Sequence, residues 1–218
     1  MEKKRSKLVP EMEGMASKWY AKQRGTQSQL DGYRAAAAKL GLPEGTRVLE
    51  VAPGPGYFAI ELARRGAQVT GLDVSRTFVG IASEKAKQAN VKVDFRHGDV
   101  AAMPFASGTF EVIICQAAFK NFTEPGRALA EMHRVLLPGG VAIIEDLDKE
   151  ATKAEIAREV DGMRLNGFSA FMTRVGLSGL RRRAYTAAQL RELAVASPFG
   201  ACEVTKAGIG LEVRLQKR

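Results

Sequence analysis

The segment from Arg47 to Asp73 restricts the fold of this chain more than any other part of the sequence. It opens with a run of β-branched and leucine residues that ends in an acid, and a glycine-rich turn, APGPG, follows directly. An amphipathic helical pattern then leads to a second apolar strand that also ends in an acid. Because glycine permits a tight turn and a close approach of the backbone to a ligand, this pattern is typical of half a nucleotide-binding α/β unit.

Strand and helix patterns alternate along most of the remaining chain. Seven stretches have the composition of strands: about 47–51, 68–72, 91–95, 110–115, 141–145, 201–207 and 210–216. Helical patterns lie between them, including one at about 150–178. This alternation predicts a parallel sheet with helices on both faces and right-handed crossovers. We therefore predict an α/β fold: a Rossmann-like doubly wound sheet, mostly parallel, with seven strands and a C-terminal antiparallel hairpin.

The length and composition allow one large domain. A chain of 218 residues with 45% hydrophobic content can bury a full core without disulfides or metals. Cys115 and Cys202 lie far apart and show no metal-ligand spacing, so we expect two buried free thiols and no metal site. No signal-peptide pattern and no apolar run of membrane-spanning length is visible in the sequence, so we expect a cytoplasmic protein.

The chain is basic, with a net charge of +9 and a pI of about 9.7. Nine of its 33 cations form three clusters, and without them 24 basic residues face 24 acidic ones. The nine are Lys3, Lys4, Arg5, Lys7, Arg181, Arg182, Arg183, Lys217 and Arg218. The body of the protein is therefore neutral, which favours solubilising clusters over a nucleic-acid surface. RNA and an anionic membrane surface stay open as alternative partners of the clusters.

The first acid, Glu50, bears on which cofactor the turn can bind. The stretch Gly54-Pro-Gly56-Tyr-Phe-Ala59 fits the G-x-G-x-x-A form of the NAD fingerprint, so NAD is one alternative. A pyrophosphate at a helix N-terminus prefers positive charge, and Glu50 would place a negative charge beside it. The position instead suits a ligand with an ammonium group and no phosphates. Asp73, at the second strand end, can accept hydrogen bonds from ribose hydroxyls.

The same turn resembles motif I of the class I S-adenosylmethionine-dependent methyltransferases, whose pattern is acid-x-G-x-G-x-G. Glu50, Gly54 and Gly56 match this pattern, and Ala52 stands where the first glycine usually lies. A methyl group is tolerated at that position if the residue has a negative φ. The downstream stretch RVLLPGG is similar to the end of the family's helix before strand five, which NAD enzymes do not share. The resemblance covers about residues 46–146.

This resemblance implies S-adenosylmethionine as the cofactor and gives roles to residues at other strand ends. Val74 would lie on the adenine face, Asp99 would accept from the adenine amino group, and the Val100 N–H would meet a ring nitrogen. Cys115 and Gln116, at the end of the fourth strand, would lie near the methionine part. The complete predicted cofactor set is Tyr20, Glu50, Ala52, Gly54, Gly56, Asp73, Val74, Asp99, Val100, Cys115 and Gln116.

The resemblance also implies a domain organisation. Residues 1–45 would form an N-terminal tail and helices that cover cofactor and substrate, with Tyr20 closing over the cofactor. Residues 46–218 would form the methyltransferase domain, with a helical lid insertion at about 150–185. We expect residues 1–10 to be disordered.

A narrower resemblance concerns the methyl acceptor. The stretch FKNFTE at 119–124 is similar to the Gly-Leu-Arg-Asn-Val-Thr-Asp segment of the ubiquinone/menaquinone C-methyltransferases, with lysine in place of arginine. Large apolar residues in and around the insertion indicate either core packing or an acceptor pocket. The predicted acceptor set is Trp19, Phe119, Asn121, Met163, Phe168, Phe171, Met172 and Tyr185.

Methyl transfer from an activated cofactor needs mainly proximity and alignment. No His, Asp or Glu outside the cofactor motifs stands out as a general base, and the Asn-Pro-Pro-Tyr type motif of amino-methylating nucleic-acid enzymes is absent after strand four. We therefore expect transfer to a small, largely apolar acceptor, aromatic or quinone-like, on oxygen or carbon. An RNA methyltransferase and a non-catalytic cofactor-binding protein are the alternatives.

Overall fold

Seven strands form one sheet in the computed structural model, which describes residues 12–163 and 166–218. The strands are β1 Arg47–Val51, β2 Gln68–Asp73, β3 Val93–His97, β4 Phe110–Gln116, β5 Leu136–Leu147, β6 Glu203–Ala207 and β7 Gly210–Gln216. Their order is β3-β2-β1-β4-β5-β7-β6. The first five strands are parallel, and β7 joins β5 and β6 in antiparallel pairs. The predicted mostly parallel sheet with a C-terminal hairpin is confirmed.

The helices follow from local sequence signals. Within the described residues they are α1 Gly14–Arg24, α2 Gln27–Leu40, α3 Tyr57–Arg64, α4 Arg76–Gln88, α5 Pro125–Val135, α6 Lys153–Gly162, α7 Gly167–Arg181 and α8 Ala187–Val195. Ser75 caps the start of α4, since its Oγ accepts from the Phe78 N–H at 3.1 Å. Thr186 begins α8 through a capping box with Gln189. Pro125 occupies the first turn of α5, where its missing N–H is not needed.

The parallel strands are buried on both faces, as their continuous apolar sequences require. On one face, Leu49 and Ile113 join the cluster that contains Met132 of α5. On the other face, Val48 joins the cluster that contains Phe58 of α3. The parallel registers of β1 against β2 and β4 bring the carboxyl ends of these three strands to the same edge of the sheet.

Some boundaries differ from the predictions. The strand predicted at 91–95 begins at Val93, because the Val91 N–H still donates to Ala86 at the end of α4. The helical stretch predicted at about 150–178 is two helices, and the Asn166 side chain caps the second. The prediction that Cys202 is buried is wrong: it is partly exposed, because β6 begins one residue later.

The predicted disorder of residues 1–10 concerns residues outside those that the structure describes. Among the helices of residues 12–163 and 166–218, none combines the length and the apolar content needed to cross a membrane.

Candidate active site

The turns after β1, β2 and β4 open onto one edge of the sheet. The strand registers align these carboxyl ends, with Val51 opposite Leu72 of β2 and Cys115 of β4. The strand order reverses between β1 and β4, and ligands of open parallel sheets bind at such a switch point. The fold thus brings the predicted residues at these three strand ends together. We call the opening between the turns after β1, β2 and β4 the mouth of the site.

The turn after β1 has a left-handed backbone at alternate residues. The φ angles are 55° at Ala52, 55° at Gly54 and 76° at Gly56. Ala52 therefore does not meet the negative-φ condition under which its methyl group is tolerated without strain. The turn imposes this angle, because the Ala52 N–H donates to the Leu72 carbonyl at 2.8 Å while the chain leaves the sheet. A left-handed alanine costs about 1 kcal/mol relative to its usual conformation.

The two glycines of this turn serve different purposes. A Cβ on Gly56 would lie 2.7 Å from both the Ala82 and Phe95 side chains, so this glycine allows α4 and β3 to pack closely. A Cβ on Gly54 would lie 4.0 Å from Tyr20 Cε1 and would meet no closer atom of the described residues. The turn therefore has open space beside Gly54, next to the Tyr20 ring.

Glu50 is a buried acid whose ionised form lacks a full set of partners. Its side chain is only 4% exposed, and Oε2 has no hydrogen-bond partner among the described residues. Burial raises the pKa of Glu50 to about 8; a backbone hydrogen bond from Ala59 opposes the rise and the charge of Asp73 adds to it. A buried carboxyl oxygen without a donor is unfavourable. An ammonium group at the mouth would supply both the donor and the opposite charge.

Asp73 is held by the backbone with acceptor capacity to spare. Its Oδ2 accepts from the Gly54 N–H at 3.0 Å, and its Oδ1 accepts from the Ser75 N–H at 2.9 Å. Burial raises the pKa of Asp73, and these two hydrogen bonds oppose that rise. Since a carboxylate has about four lone-pair positions, two remain for ribose hydroxyls. Together Glu50 and Asp73 fit a cofactor that carries both an ammonium group and a ribose, as S-adenosylmethionine does.

The residues predicted to hold the adenine lie after β2 and β3. Val74 is 43% exposed directly beyond Asp73, where an apolar side chain can contact a planar ring. Asp99 follows β3, and its Oδ1 accepts from the Ala101 N–H at 2.9 Å. Val100 opens a short 3-10 turn and is partly buried against the core. These positions suit the roles assigned from sequence, which stay predictions.

Helix α1 is attached across the glycine-rich turn. The Tyr20 ring lies 5.8 Å from the Phe78 ring of α4 in an edge-on arrangement. The Tyr57 hydroxyl donates to the Ala21 carbonyl at 3.1 Å. Glu13 accepts from the Arg76 N–H at 2.8 Å, so the residue before α1 caps α4. Sequence reasoning missed this role of Glu13. The helix that it caps lies far along the chain, so no local sequence pattern links the two.

The end of β4 contains one buried and one polar candidate. The Cys115 side chain is fully buried in the core, where desolvation raises its pKa, so only its backbone can reach the mouth. The Gln116 side chain donates to Glu145 Oε2 at 2.7 Å. Sequence reasoning missed Glu145, although its place at a strand end was the signal used for Glu50 and Asp73. The chain then turns through Ala117 with φ 55°, a second left-handed alanine at the switch point.

A buried ion pair joins the segment after β4 to the end of β5. Lys120 Nζ lies 2.8 Å from Asp146 Oδ1, and the two side chains are 5% and 9% exposed. The Lys120 N–H also donates to Asp146 Oδ2 at 2.8 Å, and Nζ donates to the Ala117 carbonyl. This lysine stands where the resembled segment has arginine, yet sequence reasoning assigned it no role. Because an isolated buried charge is costly, the pair holds both segments in one arrangement.

The predicted acceptor residues fall into two groups. Phe119 and Tyr185 are buried, with ring centroids 5.6 Å apart, and Phe122 packs edge-on against Phe119 at 5.3 Å. The others are exposed: Trp19, Asn121, Met163, Phe168, Phe171 and Met172. The structure therefore gathers an aromatic cluster beside the segment after β4 and leaves the other six predicted residues exposed. Their shared role in an acceptor pocket stays a prediction.

Comparison with known proteins gives a consistent result. Residues 49–144 match the family described as a methyltransferase domain. The chain is 37% identical over 121 residues to the demethylmenaquinone methyltransferase of Deinococcus radiodurans, covering 55% of this chain and 50% of that protein. It is 30% identical over 115 residues to the ubiquinone biosynthesis O-methyltransferase of Psychrobacter cryohalolentis, covering 51% of this chain and 44% of that protein. The chain thus spans about half the length of the curated relatives it matches.

Solved structures share the whole fold at low sequence identity. A SAM-dependent methyltransferase from Aquifex aeolicus superposes with a TM-score of 0.69 at 20% identity, covering 92% of this chain and 98% of that one. A putative S-adenosyl-L-methionine-dependent methyltransferase from Methanococcus maripaludis gives 0.73 at 18% identity, covering 98% and 97%. These similarities place all seven strands and their flanking helices in one known architecture.

Proposed function

Residues 49–144 belong to the class I S-adenosylmethionine-dependent methyltransferases, and from this premise we propose that the chain transfers a methyl group from S-adenosylmethionine to a small, largely apolar acceptor. The observation that carries the proposal is the pair of buried acids at one mouth. Glu50 has an oxygen that meets no donor among the described residues, and Asp73 has acceptor positions left after binding the turn. A pyrophosphate would bring further negative charge to these acids, which argues against NAD.

The chain's own residues bind and align the reactants. S-adenosylmethionine supplies an activated methyl group, so a general base is not needed to make the donor reactive. Glu50 would accept from the ammonium group, Asp73 from the ribose hydroxyls, and Val74 would lie against the adenine. Tyr20 would cover the turn and exclude water from the site. The contribution of the protein is then mainly proximity and orientation, worth up to about 7–11 kcal/mol in well-aligned systems.

We propose an aromatic or quinone-like acceptor, methylated on oxygen or carbon. The cluster of Phe119, Phe122 and Tyr185 borders the segment after β4, close to the expected methionine part of the cofactor. Apolar walls hold a planar ring, and a few polar groups such as Asn121 orient it. The curated relatives named above are quinone-biosynthesis methyltransferases, and they support the same acceptor class. Such an enzyme would work in the cytoplasm.

We also propose that residues 11–30 and 150–180 close over the site. Lids of this kind exclude water from the transfer step. Hydrogen exchange with and without S-adenosylhomocysteine measures the effect. We expect added protection in both segments, and equal protection in the two states would contradict closure.

The acceptor class is tested by a methyl-transfer assay with a panel of phenols and quinols and with total RNA. We expect transfer to a small acceptor and none to RNA. A variant that lacks residues 1–7 and carries Arg181→Gln, Arg182→Gln and Arg183→Gln removes two of the basic clusters. Transfer to RNA that this variant loses, with no small acceptor used by the parent, would establish the RNA alternative. Cofactor binding with no transfer to any acceptor would establish a non-catalytic protein.

A further inference from the structure

Helix α7 presents apolar side chains on two opposite faces. Ala170 and Leu177 pack against the α6 cluster of Ile156 and Val160. The outward face carries four large residues, which we call the apolar stripe: Phe168, Phe171, Met172 and Val175. Their side chains are 77%, 60%, 51% and 52% exposed in the same order. The stripe is therefore not part of the packing cluster that joins α7 to α6.

The stripe follows helical geometry. Its members are spaced i, i+3, i+4 and i+7, which places them along one side of the helix. By the same geometry, Ala170 and Leu177 lie on the opposite side. All residues of α7 are described, and none of them is buried. Single exposed apolar residues are ordinary on protein surfaces, whereas a contiguous row of four marks an interaction surface.

The charge around the stripe has one sign. Residues 167–183 contain four arginines and no aspartate or glutamate. Arg174 pairs with Asp161 of α6, and Arg181 donates to the Ala151 carbonyl at 2.5 Å. Arg182 and Arg183 are exposed at the C-terminal end of the helix. An apolar row with adjacent cations matches the two layers of an anionic membrane surface, the acyl chains and the headgroups.

We propose that the apolar stripe, together with Arg182 and Arg183, docks α7 on an anionic membrane surface. A second copy of the chain fits less well, because a two-fold interface would bring the same cations toward one another. RNA fits less well too, because phosphates would use the arginines and leave the stripe in water. The α6–α7 segment follows β5, whose carboxyl end lies at the same edge as the mouth. Docking would therefore bring the mouth near the phase into which an apolar acceptor partitions.

The first test is sedimentation of the full chain, without cofactor, with vesicles of phosphatidylglycerol or of phosphatidylcholine. We expect binding to phosphatidylglycerol at least tenfold tighter than to phosphatidylcholine, weakening with salt. The double variant Phe168→Ser/Phe171→Ser should lower this binding at least tenfold, because both phenyl groups leave the apolar layer. Arg182→Gln/Arg183→Gln should lower it about tenfold. The matched control is Val195→Ser, which removes an apolar side chain 66% exposed on α8 and should leave binding unchanged.

A second test does not depend on loss of binding. The chain contains one tryptophan, Trp19, so Trp19→Phe/Phe171→Trp moves the single fluorophore onto the stripe. Its emission should shift to the blue with phosphatidylglycerol vesicles and stay unshifted with phosphatidylcholine. Undiminished vesicle binding by the Phe168→Ser/Phe171→Ser variant would overturn the proposal. A dimer of the parent that the Phe168→Ser/Phe171→Ser variant dissociates would also overturn it, as would RNA binding that this variant abolishes. A third contrary result is protection of α7 by S-adenosylhomocysteine together with no vesicle binding by the parent.

Discussion

Changing Glu50 to glutamine is expected to stabilise the ligand-free protein and to weaken cofactor binding. Burial holds the pKa of Glu50 at about 8, against an ordinary value of 4.5 that the carboxyl regains on unfolding. Between these two values the folded state binds more protons than the unfolded state. The free energy of unfolding therefore falls as pH rises from 4.5 to 8, which is the sign for an acid whose folded pKa is raised.

The size of the effect follows from the same two values. Each pKa unit corresponds to about 1.4 kcal/mol, so the loss of stability reaches roughly 3 kcal/mol at pH 7 and roughly 5 kcal/mol above pH 8. The Glu50→Gln variant has a neutral amide of nearly the same shape and lacks this pH dependence. It also lacks the charge that an ammonium group would meet, which should weaken cofactor binding by about 1.5–3 kcal/mol.

The assay is urea unfolding of the ligand-free parent and variant at pH 5 and pH 8, followed by calorimetric titration with S-adenosylhomocysteine. The variant should be more stable than the parent by several kcal/mol at pH 8 and by less than about 1 kcal/mol at pH 5. Glu192→Gln, at an exposed position on α8, is the matched control and should follow the parent in both measurements. Identical pH dependence in the Glu50→Gln variant and the parent would refute the reasoning about burial. Equal affinity for S-adenosylhomocysteine would refute the ammonium contact.

Three further changes test other parts of the site. Asp73→Ala should weaken cofactor binding by about 1.5–3 kcal/mol through loss of charged hydrogen bonds, and unchanged affinity in a titration would mean that Asp73 only orders the turn. Ala52→Gly should leave the free energy of unfolding unchanged or raise it by up to about 1 kcal/mol, because glycine adopts a left-handed backbone without strain. The control Ala35→Gly in α2 should lower it by about 1 kcal/mol. Equal losses of stability in the two variants, measured by urea unfolding, would contradict strain at Ala52. Lys120→Met should lower the free energy of unfolding by about 3–5 kcal/mol, with partial recovery on adding Asp146→Asn, and an unshifted melting temperature would show that the buried pair does not hold the loops.

The sheet was predictable because the spacing of apolar residues and the length of the apolar stretches distinguish strands from helices. Seven apolar stretches of strand length, separated by helical patterns, leave few topologies once crossovers are right-handed. Strand ends were also readable, since Glu50 and Asp73 each follow an apolar run. The first residues of some strands were harder to predict. The start of β3 depends on the hydrogen bond from the Val91 N–H to Ala86 of α4, which the apolar pattern does not reveal.

The rest of the site depends on contacts between residues that are distant in the chain. Nothing in the local pattern indicates that Lys120 lies against Asp146, or that Glu13 caps a helix that begins 63 residues later. The left-handed angle of Ala52 was equally hidden, because it is set by a hydrogen bond to β2. The apolar residues of α7 illustrate the opposite case: their spacing was visible, but which face packs and which stays exposed required the position of α6.

The measurement that tests the central claim most directly is calorimetric titration of the full ligand-free chain with S-adenosylhomocysteine and with NAD. The claim is that Glu50 and Asp73 form a site for an ammonium group and a ribose without phosphates. It predicts a micromolar dissociation constant for S-adenosylhomocysteine, no heat from NAD, and loss of the first signal in a variant with both Glu50→Gln and Asp73→Ala. Heat from NAD with none from S-adenosylhomocysteine would contradict it.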